Sequence, residues 1–255
     1  MNAKLLRVAV PVALLIAGSI ITPVVAAEAP RAEHTSRRPQ VVQMPDARLK
    51  FEINDTDGDG GVQAFIDADP WKRMSIFDPH GRRIFTATTK GRMARQGGTE
   101  LFLESGEPPF DELSLDELLR RFPEGRYRFR GRGLDNEIFV GSTRLTHNLP
   151  DGPTLVAPLE TDGLQDPDDT AVVWKPVDPP NGSPIIGYQV LVVRPETGMK
   201  ALPKISLDVM MPPSATSMAI PPGYLQPDTE YEWEVLAIEK SGNQTLSSAT
   251  FTTSG

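Results

Sequence analysis

Leu225-Gln226-Pro227-Asp228-Thr229-Glu230-Tyr231 and the residues that follow decide the fold of this chain. Tyr231, Trp233, Val235 and Ala237 fall on one side of an extended backbone, and Glu232 and Glu234 on the other. Alternation with a period of two marks a half-buried β-strand, since successive side chains point to opposite faces. The proline and the Asp-Thr pair just before it are turn residues.

Worked outward from there, the Leu-x-Pro-x-Thr-x-Tyr run (Leu225, Pro227, Thr229, Tyr231) resembles the corner that leads into the penultimate strand of a fibronectin type III domain. That resemblance implies a packed tyrosine whose hydroxyl hydrogen-bonds to upstream backbone and locks the crossover between two sheets. It extends over about residues 151–255. Pro153 and Pro158 flank a first short strand, and Val172 and Trp174 lie on a second, where the family keeps a core tryptophan. Residues 187–193, with Tyr188, resemble the third strand; Ile205, Leu207 and Val209 form the next, and residues 218–220 precede the corner. A Ser241-Gly242-Asn243 turn and residues 248–253 complete the order, with Trp174, Tyr188, Leu225, Tyr231 and Trp233 expected in the core and Pro227 at the corner.

The first half reads as a looser relative. Leu49, Phe51 and Ile53 alternate with polar residues, the run 55–61 is a turn, and residues 61–66 resume a strand. Asp69-Pro70 reads as another turn, residues 71–77 and 83–89 as a hairpin across Asp78-Pro79-His80-Gly81, and residues 100–104 as a further strand. A single amphipathic helix is expected at 114–122, with Ser114 and Glu117 as a capping box and Leu115, Leu118, Leu119 and Phe122 on one face. After it, Phe122-Pro123-Glu124-Gly125-Arg126-Tyr127 repeats the proline-to-tyrosine spacing of the later corner, so Tyr127 is expected in the core. Residues 138–146 supply a last strand, and Asn148-Leu-Pro-Asp-Gly-Pro153 breaks the pattern. The expected architecture is all-β: an Ig-like sandwich over 46–150 with one inserted helix, then a fibronectin type III-like sandwich over 151–255.

Residues 1–27 read as a secretory signal, with Lys4 and Arg7 ahead of the uncharged run 8–25 and small residues at Ala26-Ala27. The run is at the lower limit of about 18 apolar residues for an uncleaved anchor, the only membrane contact foreseen. Residues 28–45, with Arg31, Arg37 and Arg38, read as a flexible linker. Export to the periplasm, cell surface or medium is the expected localisation. The absence of cysteine excludes disulfides, thiol catalysis and cysteine metal sites. The 25 prolines, about twice the usual share of roughly 5%, disfavour long helices. The net charge of −8 argues against nucleic acid as a partner.

Two motifs carry chemistry. Asp55, Asp57 and Asp59, with Gly60, match the opening of an EF-hand loop, but position twelve is Ile66 rather than a bidentate glutamate. Calcium and a plain Asp/Gly turn are the two alternatives there; no other cofactor is expected. Arg126, Arg128, Arg130 and Arg132 alternate on one strand face, a row suited to gripping the carboxylates, sulfates or phosphates of a protein or glycan partner. The alternative is a solvated row paired with Glu100, Glu104, Asp116 or Glu117. His34, His80 and His147 sit in no catalytic or metal motif. The sequence therefore points to a non-catalytic binding, adhesion or scaffolding module. A calcium-stabilised structural module and a small hydrolase of envelope polymers are the rivals.

Overall fold

The computed structural model describes residues 39–194, 197–202 and 204–255. The expected signal segment lies outside them. In chain order the elements are β1 (Val41–Gln43), β2 (Asp46–Asn54), β3 (Asp59–Phe77), β4 (Arg83–Thr88), α1 (Met93–Gln96) and β5 (Gly98–Glu104). Then come α2 (Leu115–Arg121), β6 (Gly125–Gly133) and β7 (Ile138–Leu145). The second half holds β8 (Leu155–Ala157), β9 (Ala171–Trp174), β10 (Ile185–Arg194), β11 (Ile205–Met211), β12 (Ser217–Ala219), β13 (Glu230–Glu239) and β14 (Gln244–Thr252).

The second half is the sandwich the corner implies. One layer runs β8, β9, β12 and the other β11, β10, β13, β14, the strand order of a fibronectin type III module. Trp174, Tyr188, Leu225, Tyr231, Trp233 and Phe251 are buried between the layers. Tyr231 Oη accepts the Gln226 N–H at 2.9 Å, so the hydroxyl ties strand β13 to the turn five residues upstream, and Pro227 lies within that turn. Tyr188 Oη accepts the Val177 N–H in the same manner. Trp233 Nε1 donates to the Pro158 carbonyl across the layers.

The first half has the same strand plan built with fewer breaks. Strand β3 is 19 residues long and serves both layers. Residues 59–67 pair with β2 and β5, and residues 71–77 pair with β6 and β4. The expected turn at Asp69-Pro70 is instead an elbow within this strand. Ladder pairing skips from Asp67 to Trp71, because Pro70 has no N–H to donate and strands that change layers do so at such irregularities. Trp71 sits at the elbow, pairing with Gly98 in one layer and Gly133 in the other. A side chain at Gly98 would start 2.7 Å from the Trp71 ring, so only glycine lets the indole lie there.

Helix α2 is the expected one, with Ser114 Oγ accepting the Glu117 N–H and Phe122 closing its end. Leu118 is buried, and Leu115, Leu119 and Phe122 pack on the same core. Tyr127 is fully buried at the start of β6, and its hydroxyl donates to the Pro123 carbonyl at 3.1 Å. Residues 41–43 correct the expected linker. Val41, Val42 and Gln43 add to β7 as a parallel strand, and Met44 is buried beside them. A short apolar run next to an open sheet edge gains ladder hydrogen bonds that a tether does not have.

The two cores are separate, one built from residues 44–145 and the other from 172–251. The sheet is nonetheless continuous, because β14 pairs in parallel with the end of β2. Asn243, buried in the turn before β14, clasps the joint. Its Oδ1 accepts the Phe51 N–H, and its Nδ2 donates to the carbonyls of Thr146 and Asn148. Residues 39–255 form one compact unit.

Candidate functional site

Strand β6 has strict alternation. Tyr127, Phe129, Gly131 and Gly133 face the core, and Arg126, Arg128, Arg130 and Arg132 are exposed on the outer surface. Gly131 must be small, since a Cβ there would lie 2.4 Å from Met74 Sδ. The neighbouring strands extend the arginine row into a face. Arg73 of β3 stands directly opposite Arg132, and Arg144 of β7 stands directly opposite Arg126. Arg83 of β4 pairs with Phe77, itself opposite Arg128. All seven of these arginines are exposed.

The acidic partners expected from the sequence do not reach them. Glu117 is held by Arg120 and Arg121 of its own helix. Glu104 accepts from Gln63 on the opposite layer. Among the described residues no carboxylate forms an ion pair with any arginine of the face. The Arg132 guanidinium donates to the Asn136 side-chain oxygen. A shallow hollow of about 180 Å³ lies between β3, β4 and β6, walled by Arg73, Arg83, Arg130 and Arg132 with Ser75 and Phe77. It can take an anionic group on charge-assisted hydrogen bonds from several guanidinium forks at once.

Like charges directly opposite each other on neighbouring strands destabilise a sheet. The Arg73–Arg132 and Arg126–Arg144 pairs are therefore kept at a cost to stability. Sequence periodicity revealed one strand of this face. Arg73, Arg83 and Arg144 join it only through long-range register, which no local signal carries.

Asp55, Asp57 and Asp59, for which calcium and a plain Asp/Gly turn are the alternatives, are not gathered within 4.8 Å of one another. They lie on the β2–β3 turn, where Asn54 Oδ1 accepts the N–H groups of Thr56 and Asp57 and Asn54 Nδ2 donates to Asp57. Gly58 takes the positive φ of 70° that closes the turn. The Asp55 side chain packs on Gly152 instead. Desolvation, then the neighbouring Asp57 charge, raises the Asp59 pKa.

The acidic trio that does converge among the described residues is Glu52, Glu104 and Glu107, with carboxylate oxygens within 4.8 Å of one another. Gln63 Nε2 bridges Glu52 and Glu104 at 2.7 and 2.8 Å, and Gln244 donates to the other Glu52 oxygen. Desolvation and the charges of Glu104, Glu52 and Asp59 push Glu107 up to about 7. Burial likewise raises Glu52 and lowers Lys50, whose Nζ donates to Gln244. The trio assembles residues from β2, β5 and the loop after β5, too far apart in sequence to be read as a motif.

The described histidines have structural contacts. His147 has a ring nitrogen 2.9 Å from the Phe122 carbonyl and stands edge-on to Phe51, and His80 lies 3.9 Å from Asp78. His34 lies outside the described residues.

No protein-family model matches the chain, and no curated protein matches it. The solved structures it is similar to include fibronectin type III modules. The fibronectin(III)-like modules of Clostridium thermocellum CbhA cover 83% of this chain and 93% of their own at 9% identity and a TM-score of 0.33. The FN1–FN3 domains of chicken CNTN1 cover 85% and 69% at 13% identity and a TM-score of 0.34. The fn3 domain of the human collagen alpha-1(XX) chain covers 43% and 89% at 25% identity and a TM-score of 0.29.

Proposed function

We propose that this chain is an exported, non-catalytic binding or scaffolding module whose first sandwich recognises a densely anionic partner through the outer face of β4, β3, β6 and β7. One observation carries this assignment: seven exposed arginines share a sheet face without a carboxylate among the described residues to neutralise them. An array of that kind is costly to the isolated molecule and repaid by a ligand that brings the counter-charge. The second sandwich serves as the mount that fixes the first through the β2–β14 joint. Export rests on the apolar run 8–25 behind Lys4 and Arg7. Nucleic acid is disfavoured as the partner by that export and by the net charge of −8.

Titration calorimetry with heparin and with polyglutamate tests the assignment and separates a glycan from a protein partner. Arg128→Ala/Arg130→Ala is expected to weaken binding about tenfold or more, the loss of at least 1.4 kcal/mol, and to flatten its salt dependence. Equal affinity in the double variant, or no binding of either polyanion by the wild type, would remove the arginine face from consideration.

A further inference from the structure

The arginine face has a counterpart of opposite sign on the same sandwich. Across the first core, the layer formed by β5, the first part of β3 and β2 carries Glu52, Glu104 and Glu107 on its outer side. The charges of Asp57 and Asp59 in the adjoining turn, and of Glu232 and Glu234 on the continuing sheet, reach the same surface. The cations near this surface are few: Arg48 is paired with Asp46, Lys50 donates to Gln244 and stands near Glu52 and Glu104, and Lys204 stands near Glu234. Burial first, then the charges of Glu104, Glu52 and Asp59, raises the proton affinity of Glu107. Among the described residues one layer thus holds guanidinium groups without ion-paired acids, and the opposite layer gathers more carboxylates than cations.

Resting on the assignment of the arginine face as the binding site, we propose that the anionic partner it takes is a second copy of this chain, docked by its Glu52–Glu104–Glu107 surface. The two surfaces lie on opposite layers of one sandwich, so a single molecule cannot bring them together. Pairing between copies is then head to tail, and each added molecule leaves one face of either sign free. Arginines two apart on β6 stand about 6.8 Å from one another, so the carboxylates of Glu52, Glu104 and Glu107, gathered within 4.8 Å of one another, present one concentrated charge to neighbouring guanidinium groups. The contact is polar and solvent-accessible at its rim, which makes it weak, fast and sensitive to salt.

Sedimentation velocity of the purified full-length chain tests self-docking. At low ionic strength the wild type is expected to form concentration-dependent species larger than a monomer, and high salt is expected to dissolve them. The charge-reversal variants Arg128→Glu/Arg130→Glu and Glu104→Arg/Glu107→Arg should each sediment as monomers. Their equimolar mixture should associate, because the intact arginine face of one meets the intact acidic surface of the other. A wild type that stays monomeric at every concentration and salt, or a mixture no larger than its components, overturns self-docking. Titrating the same samples with heparin and polyglutamate separates the two possible failures. A monomeric wild type that binds a polyanion, and loses it in Arg128→Glu/Arg130→Glu, keeps the arginine face and sinks only the second copy. A wild type that neither associates nor binds a polyanion sinks both. Melting curves verify that each variant is folded, and alanine pairs at the same positions replace any reversal variant that is not.

Discussion

The two sandwiches share one strand plan and differ in how they turn its corners. In the second, the strands that cross between layers are separate, four-residue β9 and ten-residue β10. In the first, one 19-residue strand bends through an elbow at Pro70 and Trp71. Both enter the penultimate strand through a buried tyrosine, yet the hydrogen bonds run in opposite directions. Tyr231 accepts a backbone N–H, and Tyr127 donates to a backbone carbonyl. Burial pushes the Tyr127 phenol up to about 12, which keeps it a neutral donor. The plan is therefore set by which side chains are buried where, and the turn chemistry is free to vary around it.

The largest expected effect asks whether the two cores stand or fall together. Trp174 is 1% exposed and packs 5.6 Å from Tyr188, so Trp174→Ala should cost roughly 3–5 kcal/mol. If the continuous sheet makes one cooperative unit, calorimetry will show a single transition moved down. If the cores are independent, the transition of the second sandwich alone will move, and that of the first will stay. A tryptophan variant with an unchanged melt would mean the indole is not core.

Asn243→Ala attacks the joint itself. The side chain is buried and satisfies three backbone groups of the first half, the Phe51 N–H and the Thr146 and Asn148 carbonyls. Losing it strands those groups, an expected cost of about 2–3 kcal/mol. The sharper readout is shape: two resolved transitions where the wild type has one would show that the clasp couples the sandwiches. A single unshifted transition would assign coupling to the β2–β14 ladder instead.

The tyrosine pair gives a smaller and directional difference. Tyr231→Phe leaves a donor without its partner, and Tyr127→Phe leaves an acceptor, a carbonyl with a second lone pair to satisfy elsewhere. Orphaned N–H groups are the rarer and costlier case. Tyr231→Phe should therefore cost about 1–2 kcal/mol and Tyr127→Phe about 0.5–1 kcal/mol by chemical denaturation. The reverse order would show that the two corners are not equivalent devices.

Much of this architecture was legible in the sequence, and the reason is local. Alternation fixed β2, β6 and β13, the Ser114 cap and its leucines fixed α2, and the proline-to-tyrosine spacing found both corners. Asp69-Pro70 misled because a proline and an aspartate mark a turn by composition, whereas here they mark a bend inside a strand held by Trp71 on either side. Val41 and Val42 were too few to show a period, so their pairing with β7 was invisible. The site divides the same way. The four arginines of β6 were readable from spacing two, but Arg73, Arg83 and Arg144, and the meeting of Glu52 with Glu104 and Glu107, depend on which strands become neighbours. The Asp55–Asp57–Asp59 run had the composition of a metal loop, and Asn54 shaped it into a turn.

A comparably small effect contrasts the acidic layer with the arginine face through pH. Glu107 faces Glu104, Glu52 and Asp59, while Lys50, Gln63 and Gln244 are engaged with Glu52 and Glu104. Its folded pKa of about 7 lies above the ordinary 4.5, so between those values the folded state holds a proton that the unfolded chain releases. The stability this provides is fully present below about 4.5 and is lost as pH rises through about 7. Because solvent screens the group, the loss is discounted to about 1 kcal/mol. Glu107→Gln should erase this slope and make the chain slightly more stable than wild type at pH 8, with little difference at pH 5. Arg130→Gln on the opposite face should also relieve repulsion, but with no slope in this window, since a guanidinium does not titrate there. Parallel pH dependence in wild type and Glu107→Gln would show that the carboxylates are not crowded as the structure places them.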